Sequence, residues 1–96
     1  MSKPILSIAV PTFNMEKWLA KNLATYMDER LRGRLEVICL NNASEDSSPE
    51  IIRDFVEKCP DIFVMEDRDS RGYGGSINAA MARARGEYFR IVDADD

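Results

Sequence analysis

Two apolar runs, ILSIAV at residues 5–10 and LEVICL at 35–40, are separated by a helical pattern. Each run has the length and the branched apolar content that is typical of a buried strand, and Pro11 is expected to end the first. Apolar residues recur every four positions between the runs: Leu19, Leu23, Met27 and Leu31. This spacing predicts an amphipathic helix over residues 15–32 that ends at Gly33. A strand, a helix and a strand in this order favour parallel pairing of the two strands.

The same alternation continues along the rest of the chain. Ser48 followed by Pro49 is a helix start signal, a capping hydroxyl and then a proline in the first turn. The remaining predicted elements follow in order: a helix from Ser48 that stops before Pro60, a strand at 62–65, a loop at 66–75, a helix that ends at Gly86 and a strand at 88–92. This β-α-β-α-β-α-β order predicts a single α/β domain, a three-layer α/β/α Rossmann-like sandwich around a mostly parallel sheet.

The length, charge and apolar content of the chain limit how many domains it can form and which partners it can bind. The chain has 96 residues, enough for one domain, and 13 Lys and Arg against 17 Asp and Glu give a net charge of −4. This balance argues against nucleic acid and anionic membranes as partners. We find no apolar run long enough to span a bilayer and no signal-peptide pattern, so a cytoplasmic location is expected.

The chain contains no His and only two cysteines, Cys39 and Cys59. Two cysteines alone form neither a disulfide framework nor a zinc site. Without His, any catalysis must depend on carboxylates, amides, backbone groups or a metal ion.

The last predicted strand leads directly into Asp93, Asp95 and Asp96. Two carboxylates about 4 Å apart repel by roughly 4 kcal/mol at an effective dielectric constant of 20. A hard divalent cation such as Mg²⁺ removes this cost and joins carboxylates to substrate phosphates. The alternative is a solvated acidic loop or the N-cap of a helix. The position of these acids after an apolar strand favours a metal or ligand site.

A glycine-rich segment, Gly72-Tyr73-Gly74-Gly75-Ser76, is followed by Asn78. Such a segment can let backbone amides approach phosphates at a helix N-terminus, and Arg68 and Arg71 flank it. The segment matches neither the dinucleotide fingerprint nor the Walker loop. The alternative interpretation is a tight turn with a helix cap.

Polar segments also follow the first two predicted strands, PTFN at residues 11–14 and NNASED at 41–46. Side-chain amides at these places can bind a nucleobase or a ribose, although turn formation explains the same residues. Because the carboxyl ends of parallel strands lie at one edge of a sheet, we expect these segments and the terminal acids to meet there.

The order and spacing of these motifs resemble the N-terminal, nucleotide-sugar-binding half of an inverting glycosyltransferase of family 2, which has the GT-A fold. The resemblance covers nearly the whole chain, and it is carried by five segments: residues 7–14 with Glu16, 40–46, 71–78, 84–88, and 91–96 as the family's DxD segment. It implies that this chain ends soon after the DxD segment of a longer domain, with the catalytic base beyond residue 96.

The resemblance implies a donor-binding set and a metal site. The donor-binding residues would be Pro11, Thr12, Asn14, Glu16, Asn42, Ser44, Arg71, Gly72, Asn78, Asp93 and Asp95. Asp95 or Asp96 would ligate Mg²⁺ or Mn²⁺, which would neutralise the departing diphosphate. Asn42 stands where members of the family frequently carry an aspartate that accepts the uracil N–H, so the base identity stays open.

The implied partners are a nucleotide-diphosphate sugar donor and a saccharide or lipid-linked acceptor. The full protein would build polysaccharide, with a location at the inner face of the membrane as one expectation. An alternative from another class is a non-catalytic nucleotide- or metal-binding α/β module. A phosphoacceptor regulatory domain is disfavoured, because its acids would follow the first strand, where this chain has Pro11 and Thr12.

Overall fold

The computed structural model describes residues 3–69 and 72–93, apart from the side chain of Tyr73. Its elements, in chain order, are β1 (Leu6–Thr12), α1 (Glu16–Ala24), a 3₁₀ turn (Glu29–Leu31), β2 (Leu35–Asn42), α2 (Ser48–Lys58), β3 (Phe63–Arg68), α3 (Tyr73–Arg83) and β4 (Tyr88–Ile91). The four strands form one parallel sheet in the order β3-β2-β1-β4. The predicted Rossmann-like α/β architecture is therefore confirmed.

Apolar side chains pack on both faces of the sheet. On one face, β1, β2 and β3 pack with α1 and α2 around Val10, Leu19, Val37 and Phe63. On the other face α3 packs through the small Ala80 onto Ala9, Ile38 and Leu40. The side chains at β1 and β2 therefore alternate between two cores, as expected for strands buried on both sides.

The first strand does not end at Pro11, as the sequence pattern predicted, but continues to Thr12. The backbone N–H and carbonyl of Ala9 point toward β4, since the carbonyl accepts from the N–H of Val92. The backbone of Pro11, two residues later, points to the same side of β1, but β4 has already ended there at Ile91. The N–H that proline lacks is therefore not needed for pairing.

The first helix is also shorter than predicted. Its continuous part ends at Ala24, and the N–H groups of Tyr26 and Met27 bond three residues back, to Leu23 and Ala24. Asp28 is extended, and its carboxylate accepts from the N–H of Arg30 at the start of the separate 3₁₀ turn. The apolar residues that recur every four positions thus continue past the end of α1 and into the 3₁₀ turn.

Side-chain positions on α1 correct the prediction further. Leu19 and Leu23 are fully buried, whereas Met27, which the four-residue spacing assigned to the same apolar face, is 40% exposed.

The predicted boundaries of β2, β3, α3 and β4 were also wrong. β2 extends through Asn41 and Asn42, which were predicted to lie in a loop. β3 covers Phe63–Arg68, and α3 begins at Tyr73, so the predicted loop at 66–75 is mostly strand and helix. α3 ends at Arg83 rather than near Gly86, and β4 ends at Ile91. Parallel pairing with β2 extends β3 beyond its apolar run.

Ser48 begins α2, but its hydroxyl does not cap that helix. The Ser48 Oγ instead accepts from the backbone N–H of Met15, while the Asp46 carboxylate accepts from the N–H of Ser48. Pro49 lies in the first turn of α2, as predicted.

The two cysteines are unpaired, and Cys39 is buried in the core. Burial raises the pKa of the Cys39 thiol to about 12, so this side chain acts as a small apolar group. Within residues 3–69 and 72–93, we find no helix with the length and apolar character needed to cross a membrane.

Candidate functional site

Because all four strands are parallel, their carboxyl ends lie at one edge of the sheet, which we call the carboxyl rim. Thr12 at the end of β1 pairs with Asn41 near the end of β2. On the other side of β1, the N–H of Val92 donates to the carbonyl of Ala9 at 2.9 Å, and Asp93 follows. The rim therefore brings together the ends of β1 and β2 and the start of the acidic segment.

The side chains at the rim divide between the two faces of the sheet. Alternation along β1 and β2 places Pro11 and Asn42 on the α3 face, and Thr12 and Asn41 on the α1/α2 face. Val92 packs with the core on the α1/α2 face, so the same alternation directs Asp93 to the α3 face. Pro11, Asn42 and Asp93 therefore share the side of the rim on which α3 begins.

Thr12 and Asn42 have little accessible surface. Thr12 is 0% exposed, and its hydroxyl donates to the carbonyl of Val10 at 3.2 Å. Asn42 is 3% exposed. Thr12 therefore presents no accessible surface to a ligand at the rim, and Asn42 presents only a small edge.

Asn14 and Ser44 join the loops that follow β1 and β2. The N–H of Asn14 donates to Ser44 Oγ at 3.1 Å, and the N–H of Glu45 donates to Asn14 Oδ1 at 2.8 Å. Asn14 and Ala43 have positive φ angles, 51° and 58°, which L-residues adopt at a cost. In the structure these two predicted donor-binding side chains hold the loops together.

The N-termini of α1 and α2 also cap each other. The N–H of Glu16 donates to Asp46 Oδ2, and the N–H of Ser47 donates to Glu16 Oε2, both at 3.1 Å. Burial acts to raise the pKa of Asp46, but hydrogen bonds from Ser48 and from the Glu16 backbone outweigh it and lower that pKa. One oxygen of Glu16, also predicted to bind the donor, is therefore used in this framework.

Arg68 links the end of β2 to the start of α3. Its guanidinium donates to Asn42 Oδ1 at 3.4 Å and to the carbonyl of Gly72 at 3.1 Å. Since Arg68 takes the oxygen of the Asn42 amide, the NH₂ group of Asn42 is left to meet a ligand. The side-chain amide of Asn41, the preceding residue of β2, donates to Asp67 Oδ1 at 2.7 Å.

The glycine-rich segment forms the N-terminal turn of α3 rather than a free loop. Gly72 is the N-cap residue and has no side chain to cap the first N–H groups. A Cβ at Gly75 would lie 2.8 Å from the Arg68 guanidinium, whereas Gly74 has open space around it. This turn presents backbone N–H groups and the positive end of the helix dipole, which favour an anion. Asn78 is exposed one turn further along α3.

The predicted metal ligands fall on residues outside the described part of the chain. Asp95, Asp96 and the predicted donor contact Arg71 are not described, whereas Asp93 is described and exposed. Across the described ranges, no three His, Cys, Asp or Glu side chains cluster closely enough to hold a metal ion. The donor set of the acidic segment, carboxylate oxygens alone, suits Mg²⁺ or Mn²⁺.

A buried polar network that the sequence pattern does not indicate lies at the opposite, amino edge of the sheet. Glu36 in β2, 3% exposed, accepts from Ser7 Oγ at 2.8 Å and from the N–H and the Nε of Arg85 at 3.0 and 2.9 Å. Ser7 Oγ accepts from the N–H of Gly86 at 2.8 Å. Burial acts to raise the pKa of Glu36, but the hydrogen bonds from Arg85 and Ser7 outweigh it and lower that pKa.

A groove of about 500 Å³ also lies at the amino edge, away from the rim. It is lined by Pro4, Arg32, Gly33, Leu35, Pro60, Asp61 and Arg85. Its two arginines face carboxylates of the same chain, Arg32 at 3.8 Å from Asp61 and Arg85 at 2.9 Å from Glu36. These carboxylates already balance the charge that would attract an anion.

A parallel α/β sheet with polar groups gathered at its carboxyl rim is an architecture used by nucleotide-binding domains. Residues 7–96 match the model of the family described as glycosyl transferase family 2, and the chain therefore belongs to that family. It is 32% identical over 97 residues to an uncharacterized glycosyltransferase of Methanocaldococcus jannaschii, covering 100% of this chain and 33% of the relative.

Two solved structures show the same fold. A mannosyltransferase of Pyrobaculum calidifontis in complex with GDP-Man and Mn²⁺ has 31% identity and a TM-score of 0.84, over 99% of this chain and 28% of that one. TarS of S. aureus in complex with UDP-GlcNAc has 26% identity and a TM-score of 0.76, over 95% and 26%. The chain thus spans a third or less of the length of these glycosyltransferases and corresponds to their N-terminal part.

Proposed function

We propose that this chain is the donor-binding part of an inverting glycosyltransferase that uses a nucleotide-diphosphate sugar and Mg²⁺ or Mn²⁺. The observation that carries the proposal is the shared position of Pro11, Asn42, Asp93 and the N-terminus of α3 on one side of the carboxyl rim. This side offers an amide for a base, helical N–H groups for phosphate and a carboxylate on the same face of the sheet. The solved complexes with GDP-Man and UDP-GlcNAc support this kind of ligand.

In this proposal the predicted residues divide the donor between them. The Asn42 amide and the loop at Pro11 and Thr12 bind the base, and the first turn of α3 with Arg71 binds the diphosphate. Asp93 and Asp95 contact the ribose and the diphosphate, and Asp95 or Asp96 would hold the metal ion. The metal, when bound, neutralises charge on the departing diphosphate.

The transfer itself is a displacement at C1 of the sugar. The acceptor hydroxyl attacks C1 on the face opposite the diphosphate, the bond from C1 to the diphosphate oxygen breaks, and the configuration inverts. The hydroxyl proton passes to a base that we assign to no residue of this chain. The acceptor would be a saccharide or a lipid-linked group, and the product a polysaccharide.

Thermal unfolding tests the proposal directly. Mn²⁺ together with GDP or UDP should raise the melting temperature by several degrees, because a ligand at about 100 times its Kd stabilises the folded state by about 2.7 kcal/mol. Mn²⁺ alone, nucleotide alone and nucleotide with EDTA serve as controls. Equal melting temperatures in all samples would rule out the donor site.

A cytoplasmic location is part of this proposal. It is supported by the two unpaired thiols, Cys39 and Cys59, which suit a reducing compartment. A fusion of the full protein to a compartment-specific fluorescent reporter would test it, and a signal from an oxidising compartment would contradict it.

A further inference from the structure

The last strand of the sheet is weakly specified by its own contacts. β4 has four residues and pairs with β1 from Leu6↔Tyr88 to Ala9↔Ile91. Among the described strands, no other strand pairs with β4, which lies at the edge of the sheet. Tyr88 is 66% exposed and Ile91 is 40% exposed, so these side chains contribute little packing. Register is strongly specified where a strand buries one of its faces, and of the four side chains of β4 only Phe89 packs against a core.

The register of β4 decides where the acidic segment lies. Because side chains alternate along a strand, a slip of one residue would move Asp93 from the α3 face to the opposite face. A slip of two residues would keep the face but displace Asp93 by roughly 7 Å along the strand axis. Either change would separate Asp93 from Asn42 and from the N-terminus of α3.

The chain just before β4 is fixed to the sheet by the buried network around Glu36. Arg85 donates two hydrogen bonds to the Glu36 carboxylate, one from its backbone N–H and one from its Nε. The N–H of Gly86, the next residue, donates to Ser7 Oγ. Ser7 is paired with Glu36 on one side and with Phe89 of β4 on the other. The network therefore joins β1, β2 and the entrance to β4 at one point.

Close contact at Gly86 makes this point sterically specific. A Cβ on residue 86 would lie 2.7 Å from both the backbone N and the Oγ of Ser7. The residues on either side of Gly86 are Arg85 and Glu87, so a slip by one residue would bring a side chain into this space.

We propose that Glu36, together with Ser7, Arg85 and Gly86, is a positioning network that sets the register of β4 on β1 and so places Asp93 at the carboxyl rim. The inference rests on the proposed donor site only for its functional consequence. Glu36 is the buried member of this ion pair, whereas the Arg85 side chain is 59% exposed. The best-attested use of a buried charged group is to specify one arrangement among several.

Glu36→Gln tests the network, because it keeps the shape of the side chain but replaces one acceptor oxygen with an NH₂ group. The backbone N–H of Val92, which bonds to Ala9, reports on β4, and the N–H of Phe63, which bonds to Cys59, reports on β3 at the other end of the sheet. We expect hydrogen exchange at Val92 to speed up by about tenfold more than at Phe63. The Kd for GDP or UDP with Mn²⁺ should rise at least about fivefold at a temperature at which the variant stays folded.

Arg83→Met is the matched control. It removes an ion pair of 2.7 Å to Glu66 from a residue two positions before Arg85, but that pair joins α3 to β3 and not to β4. We expect it to leave the Val92 exchange rate relative to Phe63, and the nucleotide Kd, unchanged. If Glu36→Gln gives the same values as Arg83→Met, the positioning role is wrong.

Ser7→Ala provides a milder variant if Glu36→Gln fails to fold. It removes the acceptor of Gly86 and one of the donors to Glu36, and should give a change in the same direction at Val92. An unchanged Val92 exchange rate in Ser7→Ala would then overturn the proposal. If the unmodified protein binds neither GDP nor UDP, the proposed function fails, while the exchange rates still decide whether the network sets the register.

Discussion

At the scale of single residues, two positions are fixed by steric demands that composition does not reveal. Gly86 lies against the backbone of Ser7, and Ala43 has a left-handed backbone conformation with φ at 58°. Glycine would adopt the backbone conformation of Ala43 without steric cost.

Gly86→Ala is expected to destabilise the fold by about 1–3 kcal/mol, the usual cost of forcing a methyl group into a filled space. Gly74→Ala is the control, since no atom lies within 4 Å of a Cβ at that position. Gly74 lies in the first turn of α3, where alanine should be neutral or slightly stabilising. Urea unfolding of both variants measures the difference, and equal stabilities would contradict the close contact at Gly86.

Asp93→Asn is expected to weaken binding of GDP or UDP in the presence of Mn²⁺ by about 1–3 kcal/mol, the scale of a lost hydrogen bond to a charged group. Asp61→Asn is a suitable control, because it removes an equal charge near the amino edge. Calorimetric titration gives both affinities. If the two variants bind equally well, Asp93 makes no contact with the nucleotide or the metal.

At the scale of elements, the loops after β1 and β2 act as one unit. Asn14 and Ser44 cross-link them, and Glu16 and Asp46 cap the two helices that follow. These contacts join residues about 30 positions apart in sequence. These polar residues therefore have a structural role in the loops even where their side chains do not face a ligand.

Ala43, in the loop after β2, has a positive φ of 58°. Ala43→Gly should stabilise the protein by about 0.5–1 kcal/mol, because relief of this left-handed strain exceeds the entropy that glycine adds to the unfolded chain. Ala20→Gly, at an exposed position within α1, is the same substitution in a helical backbone and should destabilise by about 1 kcal/mol. The two melting temperatures should move in opposite directions. A decrease for Ala43→Gly would show that the loop adopts another conformation in solution.

The order of the elements could be predicted from sequence because each apolar run or helical repeat is a local signal. The predicted ends of the elements were wrong where a contact between distant parts of the chain decides them. Pro11 is an example, because the N–H that it lacks would point to the side of β1 where β4 has already ended. The rim itself was predictable, since parallel strands place their carboxyl ends together. The network of Glu36 was not, because a single Glu in an apolar run does not indicate that its partner is Arg85, 49 residues away.

At the scale of the whole molecule, charged groups connect stability to pH. Glu36 is buried at the amino edge, and its pKa is lowered below the ordinary value of 4.5 when the chain folds. A carboxyl group with a lowered pKa stabilises the fold above its unfolded pKa, and this contribution is lost as the pH falls through the folded value.

Glu36→Gln should accordingly lower the free energy of unfolding at neutral pH by about 1–3 kcal/mol. It should also reduce the loss of stability below about pH 4.5, since the variant lacks the group that takes up the proton. Urea unfolding from neutral pH to about pH 3 measures both effects. Glu57→Gln, at an exposed position on α2, is the control, and a parallel pH dependence in the two variants would contradict the assignment.

The burial of Asn42 has one consequence for how the protein behaves in a foreign host. Asn42-Ala43-Ser44 has the spacing of an N-glycosylation acceptor, a site that must be exposed to be modified. In the folded domain the Asn42 oxygen accepts from Arg68 and Asn42 is 3% exposed, while the Ser44 hydroxyl accepts from the N–H of Asn14. Secretion from a eukaryotic cell would therefore attach glycan only to chains that had not yet folded, and such chains could no longer close the loop after β2.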